Sequence, residues 1–168
     1  FCLSRGLGDV YKRQTQRRPV ALLSAALVER IAAGEALERP ASAVKELIDN
    51  ALDAGAGEVT IDLAGGGLDF LRVADDGAGI APDDIEQVCL RHTTSKIAVM
   101  DDLDRVATLG FRGEALASLV AVADVTVVSS DNADGRARQA TYVGGMSGHF
   151  APASRRRGTT VVVRSLFG

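Results

Sequence analysis

The sequence predicts an α/β domain, a two-layer sandwich of sheet and helices. Three observations predict it. The chain has 168 residues, a length that suits one compact domain with one core. Stretches with strand alternation and stretches with helical spacing are interleaved, without the regular strand–helix–strand repeat of a doubly wound fold. The composition is globular, 46% hydrophobic and 24% charged.

Each element has its own signal. Ser24 can cap a helix running to about Ala33, ended by Gly34. Pro40 suits the first turn of the next helix. There Val44, Leu47, Ile48, Ala51 and Leu52 recur at helical spacing as an apolar face, and Glu46, Asp49, Asn50 and Asp53 repeat that spacing opposite. Gly55 or Gly57 ends this helix. Val59, Ile61 and Leu63 alternate with Thr60 and Asp62, so a strand with one buried face is expected. Gly65-Gly66-Gly67 turns the chain, and Leu68 to Val73 returns as the second strand of a hairpin. Asp75 to Pro82 is a glycine-broken loop. Ile85, Val88, Cys89 and His92 mark a helical face.

Thr93 to Gly113 reads mainly as loop, with a short helix near Asp101 to Val106, and a loop this long is usually functional. Glu114 to Val122 is a buried helix. Strands are expected at Val125 to Ser129, Gln139 to Val143 and Thr159 to Arg164, with a loop over Gly144 to Arg157. No internal repeat is evident.

Composition excludes several classes of function. The net charge is −3, whereas a dedicated DNA-binding module is usually basic. Aromatic residues are 4% and Trp is absent, which argues against a stacking platform for single strands. Two cysteines, Cys2 and Cys89, cannot alone build a disulfide scaffold or a zinc site, so a reducing, cytoplasmic setting is expected. No apolar run is long enough to span a membrane. Arg17-Arg18 before an apolar stretch imitates a signal peptide, but Glu29 and Arg30 follow at once and the helical spacing continues to Ile31. Phe1 to Gln14 has no period and predicts no core element. The expected division is therefore a leader at residues 1–18 and one domain over 19–168.

Three segments can carry chemistry. Glu46 and Asn50 are neighbours on one helix face. A carboxylate there can take a proton from water, and a carboxamide oxygen can ligate Mg²⁺. The ordinary alternative is a solvated polar face. Asp75-Asp76-Gly77-Ala78-Gly79 follows a strand directly. Its glycines allow a sharp turn and a close ligand approach, and an ionised Asp75 could accept from the exocyclic amine of adenine. The ordinary alternative is a turn.

Thr93-Thr94-Ser95-Lys96 and Gly110-Phe111-Arg112-Gly113-Glu114-Ala115 offer hydroxyls, a lysine and backbone amides near a helix start, which suit phosphate oxygens and a lid. A surface loop with a helix cap is the alternative. Gly158-Thr159-Thr160 opens a strand and means nothing unaided. His92 is a packed or surface residue, Cys89 belongs to the core, and Arg155-Arg156-Arg157 is a solvated run, with a phosphate contact as the less common alternative. Neither a phosphate-binding G-x-x-x-x-G-K-[ST] loop nor a dinucleotide fingerprint is present.

In this order the segments resemble the GHKL ATPase superfamily of gyrases, ATP-driven chaperones, histidine kinases and MutL. Within it, Ile31–Glu35, Glu38–Ser42, Lys45–Ala56 (KELIDNALDAGA), Arg91–Ile97 (RHTTSKI) and Leu109–Ser118 (LGFRGEALAS) are similar to the MutL family of DNA mismatch-repair proteins. The resemblance covers roughly Val20 to Phe167. The long segments are specific, and the short D-x-G-x-G is shared across the superfamily. The resemblance implies the GHKL or Bergerat fold, an open mixed sheet backed by helices, with ATP held between helices and a lid.

By the same resemblance, Glu46 is the general base and Asn50 the Mg²⁺ ligand. Asp75 reads adenine, Gly77 and Gly79 shape the pocket, and Thr159 supports the base. Thr94, Ser95 and Lys96 begin the lid, and Gly110, Phe111, Arg112, Gly113, Glu114, Ala115 and Leu116 wrap the triphosphate. The implied mechanism is a switch. ATP orders the lid, two copies form a homodimer and slow hydrolysis resets them. The implied partners are MutS, mismatch-containing DNA and a downstream repair nuclease or helicase.

By the resemblance, the family continues beyond Phe167-Gly168 with the rest of this domain, with a second domain that supplies a lysine to the terminal phosphate, and with a dimerisation domain, so the domain over 19–168 is expected to be incomplete at its C-terminus. ATP binding, with weak or no turnover, is therefore expected of this span. A binding switch without turnover is the second expectation. The other superfamily branches fit less well: Leu22 to Ala41 offers no phospho-acceptor histidine, and LGFRGEALAS is not their segment.

Overall fold

The computed structural model describes residues 37–89, 115–145 and 148–168, together with Val28, Ile31 and Ala32. The expected helix 24–33 is represented only by those last three residues, which are helical and exposed.

Helix α1 is Pro40–Asp53, with proline in its first turn as expected. Gly55, at φ +70°, turns the chain out of it. Its buried face is Ala43, Leu47 and Ala51, one step round from the apolar stripe predicted by spacing. Leu52 is exposed instead. Helix α1 contacts β2, with Leu47 buried between Ala43 and Ala51 on that face and Val44 and Ile48 half-buried beside it.

Strand β1, Val59–Ala64, and strand β2, Phe70–Asp75, form a hairpin across a short 3-10 turn, Gly65–Gly67. The second strand therefore starts two residues later than its hydrophobicity suggested and carries Asp75 at its end. Helix α2 is Ala115–Val122, and it is buried over Ala117, Ser118, Leu119, Val120 and Val122. Strands β3, Asp124–Ser130, β4, Arg136–Tyr142, β5, His149–Ser154, and β6, Gly158–Arg164, complete the sheet.

The strand order is β1-β2-β6-β3-β4-β5. Among the described residues every pairing is antiparallel, within the open, helix-backed sheet that was expected. The cause is β6. Strands β2 and β3 run the same way, and β6 enters between them running opposite to both.

One face of the sheet is a ladder of apolar partners. Leu71 and Val73 lie opposite Val163 and Val161, and these lie opposite Val125 and Val127. All six are at most 6% exposed. Leu37, Leu47, Ile85 and Leu119 join them in one core, where each large side chain contributes about 1.5–3 kcal/mol. Ile61 and Leu63 of β1 point to the same face, since they pair with Val73 and Leu71. Yet they are exposed, because α1 packs over β2 and β1 is an edge strand.

Two further readings are corrected. The expected loop 144–157 contains β5, an edge strand that tolerates Pro152. Residues 82–89 form successive turns rather than a helix, although Ile85 and Cys89 are buried as their spacing suggested. Burial pushes the Cys89 thiol up to about 12, as befits a core residue.

Candidate functional site

The inward face of the sheet changes character at one end. Along β2, β6 and β3 the alternation places Asp75, Thr159 and Ser129 in series with the core residues Val73, Val161 and Val127. Three polar side chains therefore form a row across three strands, at the rim of the core.

The row is tied together. The Thr159 backbone N–H donates to Asp75 Oδ1 at 3.2 Å, and the Gly77 N–H donates to the same oxygen at 2.9 Å. Both of these bonds fall on the same oxygen, Oδ1. Ser129 Oγ lies 2.9 Å from Thr159 Oγ1, donates to the Gly158 carbonyl at 3.0 Å and accepts from the Ile80 N–H at 2.9 Å. Ser129 is 1% exposed and fully engaged. Its single proton goes to Gly158, which makes Thr159 the donor between the two hydroxyls.

The loop after Asp75 is pinned between α1 and β3. Ala78 N–H donates to the Ala54 carbonyl at the end of α1, at 2.8 Å. A Cβ on Gly77 would meet Ala54 Cβ at 2.8 Å, and a Cβ on Gly79 would strike the Ser130 carbonyl oxygen. Gly79 also sits at φ +75°, a conformation that favours glycine. Asp76 holds the base of the loop, accepting from the Gly57 and Glu58 N–H groups at 2.7 and 2.9 Å. Those backbone bonds hold its carboxyl below the usual carboxylate range.

On α1, Glu46 and Asn50 are both half-buried. Asn50 lies one turn before Ala54, whose N–H donates to the Asn50 carbonyl at 3.0 Å, so it stands beside the Asp75–Gly79 loop. Asp49 is buried and engaged by Lys45 Nζ at 2.6 Å, which separates it from Glu46 and Asn50.

Among the described residues no cluster of three His, Cys, Asp or Glu side chains could hold a metal by itself. Mg²⁺ carried in by a triphosphate needs only one or two protein oxygens, its other places being filled by phosphates and water. The Asn50 carboxamide oxygen is a donor of that kind.

The structure thus brings Asp75, Gly77, Gly79 and Thr159 into one site, with Asn50 next to it and Glu46 one turn further along the same helix. Ala115 and Leu116 open α2, half-buried. Thr94, Ser95, Lys96, Gly110, Phe111, Arg112, Gly113 and Glu114 lie outside the described residues.

Two participants escaped the motifs. Ser129 gave one weak signal, a serine in the inward register of Val125 and Val127. Arg155, read as part of a solvated run, is half-buried. It donates to the carbonyls of Asp75 and Thr159 at 2.6 and 2.9 Å.

A family model for histidine kinase-, DNA gyrase B- and HSP90-like ATPases matches residues 38–144. The DNA mismatch repair protein MutL of Cellvibrio japonicus is 50% identical over 151 residues, 89% of this chain and 24% of that protein. The MutL of Xanthomonas campestris pv. campestris is 53% identical over 143 residues, 84% of this chain and 23% of that protein. The chain thus spans about a quarter of the length of the curated relatives it matches.

Among solved structures, the N-terminal domain of a DNA repair protein superposes with a TM-score of 0.69 at 36% identity, over 83% of this chain and 39% of that one. The Aquifex aeolicus MutL ATPase domain complexed with ADP gives 0.57 at 27% identity, over 78% of this chain and 44% of that one.

Proposed function

The chain belongs to the histidine kinase-, DNA gyrase B- and HSP90-like ATPase family, and from that premise we propose that it binds and hydrolyses Mg²⁺-ATP as the nucleotide unit of a MutL-type mismatch-repair protein. The observation that carries this reading is the Asp75 carboxylate, aligned by Gly77 and Thr159 at the rim of the core on a loop only glycines can make.

In this reading Asp75 Oδ2 accepts from the exocyclic amine of adenine, and Thr159, steadied by Ser129, backs the base. Gly77 and Gly79 keep the pocket wall thin. The Asn50 oxygen holds Mg²⁺, which neutralises phosphate charge when bound. Glu46 takes the proton of the attacking water as the water oxygen bonds to the terminal phosphorus and ADP leaves with the electron pair of the broken bond. Thr94 to Lys96 and Gly110 to Leu116 supply the lid over the triphosphate.

Lid ordering and homodimerisation then couple mismatch recognition by MutS, on mismatch-containing DNA, to a downstream nuclease or helicase. The setting is cytoplasmic. Similarity to MutL proteins at about 50% identity supports the repair context, and the ADP complex of a structural neighbour supports the nucleotide.

The test is turnover in the intact protein. Glu46→Ala should abolish ATP hydrolysis and leave binding of a non-hydrolysable analogue in place. Hydrolysis that survives the change would remove Glu46 from the role of base.

A further inference from the structure

The backbone pairing of β2 with β6 stops at Ala74↔Thr160. The next pair across, Asp75 and Thr159, is the pair the proposed base contact depends on. Side chains complete it. Asp75 Oδ1 takes the Thr159 N–H from one side. From the other side the Arg155 guanidinium donates through one nitrogen to both carbonyls, Asp75 at 2.6 Å and Thr159 at 2.9 Å.

Its remaining nitrogens donate to Thr160 Oγ1 at 2.9 Å and to the Arg156 carbonyl at 3.2 Å. Gly158, at φ +120°, makes room for this bracket, since a Cβ there would meet the Asp75 carbonyl oxygen and, at 2.6 Å, an Arg155 nitrogen. Burial lowers the pKa of Arg155 and the Asp75 charge opposes that shift, as for a cation drawn into the fold rather than waving in solvent. Arg156 and Arg157 are exposed by comparison.

We infer that Arg155 is a positioning residue for the nucleotide base, fixing the angle of the Asp75 carboxylate and with it the preference for adenine over guanine. The inference rests on the reading of Asp75 given above. At the position where adenine presents an amine donor, guanine presents a carbonyl acceptor. A carboxylate fixed there attracts the first and repels the second. A carboxylate free to turn aside discriminates less. Arg155 touches neither base nor phosphate in this scheme and acts only through Asp75 and Thr159.

The experiment is calorimetric titration with non-hydrolysable ATP and GTP analogues, with Mg²⁺, on the whole chain and on Asp75→Asn, Arg155→Ala and Arg155→Lys, with circular dichroism and melting as the check on folding. Arg155→Ala should weaken the ATP analogue about tenfold and shrink the ATP-to-GTP ratio toward that of Asp75→Asn. Added guanidinium ion, below the concentration that unfolds the chain, should restore part of that ratio. Arg155→Lys should restore little, because one ammonium cannot span the acceptors that a planar fork reaches.

A folded Arg155→Ala variant that keeps wild-type affinity and ratio overturns the inference. So does one that loses both nucleotides equally, which is the mark of a merely structural bond. If Arg155→Ala does not fold, the ratio in Arg155→Lys decides the matter in the same way. Wild-type behaviour of Asp75→Asn would instead sink the adenine reading itself, and the inference with it.

Discussion

Ser129 and Thr159 stand directly opposite each other on β3 and β6 with their hydroxyl oxygens 2.9 Å apart. Thr159 in turn gives its N–H to Asp75. A serine 54 positions from the proposed base-reading carboxylate (129 − 75 = 54) therefore belongs to the same hydrogen-bonded row. The polar rim of this core is one unit, and disturbing any member should be felt by the others.

Asp75→Asn should keep the fold and lose the charged acceptor. A hydrogen bond to a charged group is worth about 1.5–3 kcal/mol, so affinity for an ATP analogue should drop roughly ten- to a hundredfold. Calorimetry measures this directly, and equal affinity in the two chains would place adenine elsewhere.

Ser129→Ala should leave the Gly158 carbonyl, the Ile80 N–H and the Thr159 hydroxyl without their buried partner. The expected loss is on the order of 2–3 kcal/mol, read from the urea midpoint. A midpoint within error of wild type would mean that water replaces the hydroxyl at no cost.

Gly79→Ala forces a side chain onto a backbone at φ +75° and against the Ser130 carbonyl. Strain of about 1–3 kcal/mol or more should appear as a lowered melting temperature. Nucleotide affinity should fall as the loop is displaced, whereas Gly66→Ala, where a Cβ has open space, should spare it. Loss of affinity in both variants alike would show that the pocket does not depend on this close approach.

Asp76 should govern part of the acid limb of stability. Its folded pKa lies below the ordinary 3.8 because the Glu58 and Gly57 N–H groups favour the carboxylate. The stabilisation is therefore present above the unfolded pKa and is lost as pH falls through the folded one. Asp76→Asn should be less stable at neutral pH and lose less on acidification below the carboxylate range. Parallel acid-unfolding curves for the two proteins would rule this out.

Local patterns made much of this molecule legible. Pro40 announced α1, the Val-x-Val alternations announced β3 and β6, and Asp75 followed by spaced glycines announced the tight loop after β2. What stayed hidden was set by neighbours far along the chain. On α1 spacing paired Glu46 with Asn50, both half-buried, but it assigned Asp49 to the polar face and Leu52 to the apolar one, and the packed helix buries the first and exposes the second.

Strand β5 carries Pro152 and small residues, and only pairing with β4 reveals it. Ile61 and Leu63 alternate like buried residues and are not covered, since edge position is a property of the whole sheet. Arg155 looked like its two neighbours in the run, and only the end of the β2–β6 ladder distinguishes it.

The central place of β6 bears on how this protein comes off the ribosome. The strand is the last of the six to be synthesised, yet it fills the gap between β2 and β3. Without it, a β1–β2 ribbon and a β3–β4–β5 ribbon would each present an open inner edge that another chain could pair with. Thr159 arrives with that strand, so a newborn chain has no complete polar row until the two ribbons are joined. Nucleotide capture would then report that the sheet has closed, and a chaperone guarding those two inner edges would have to let go before ATP could bind.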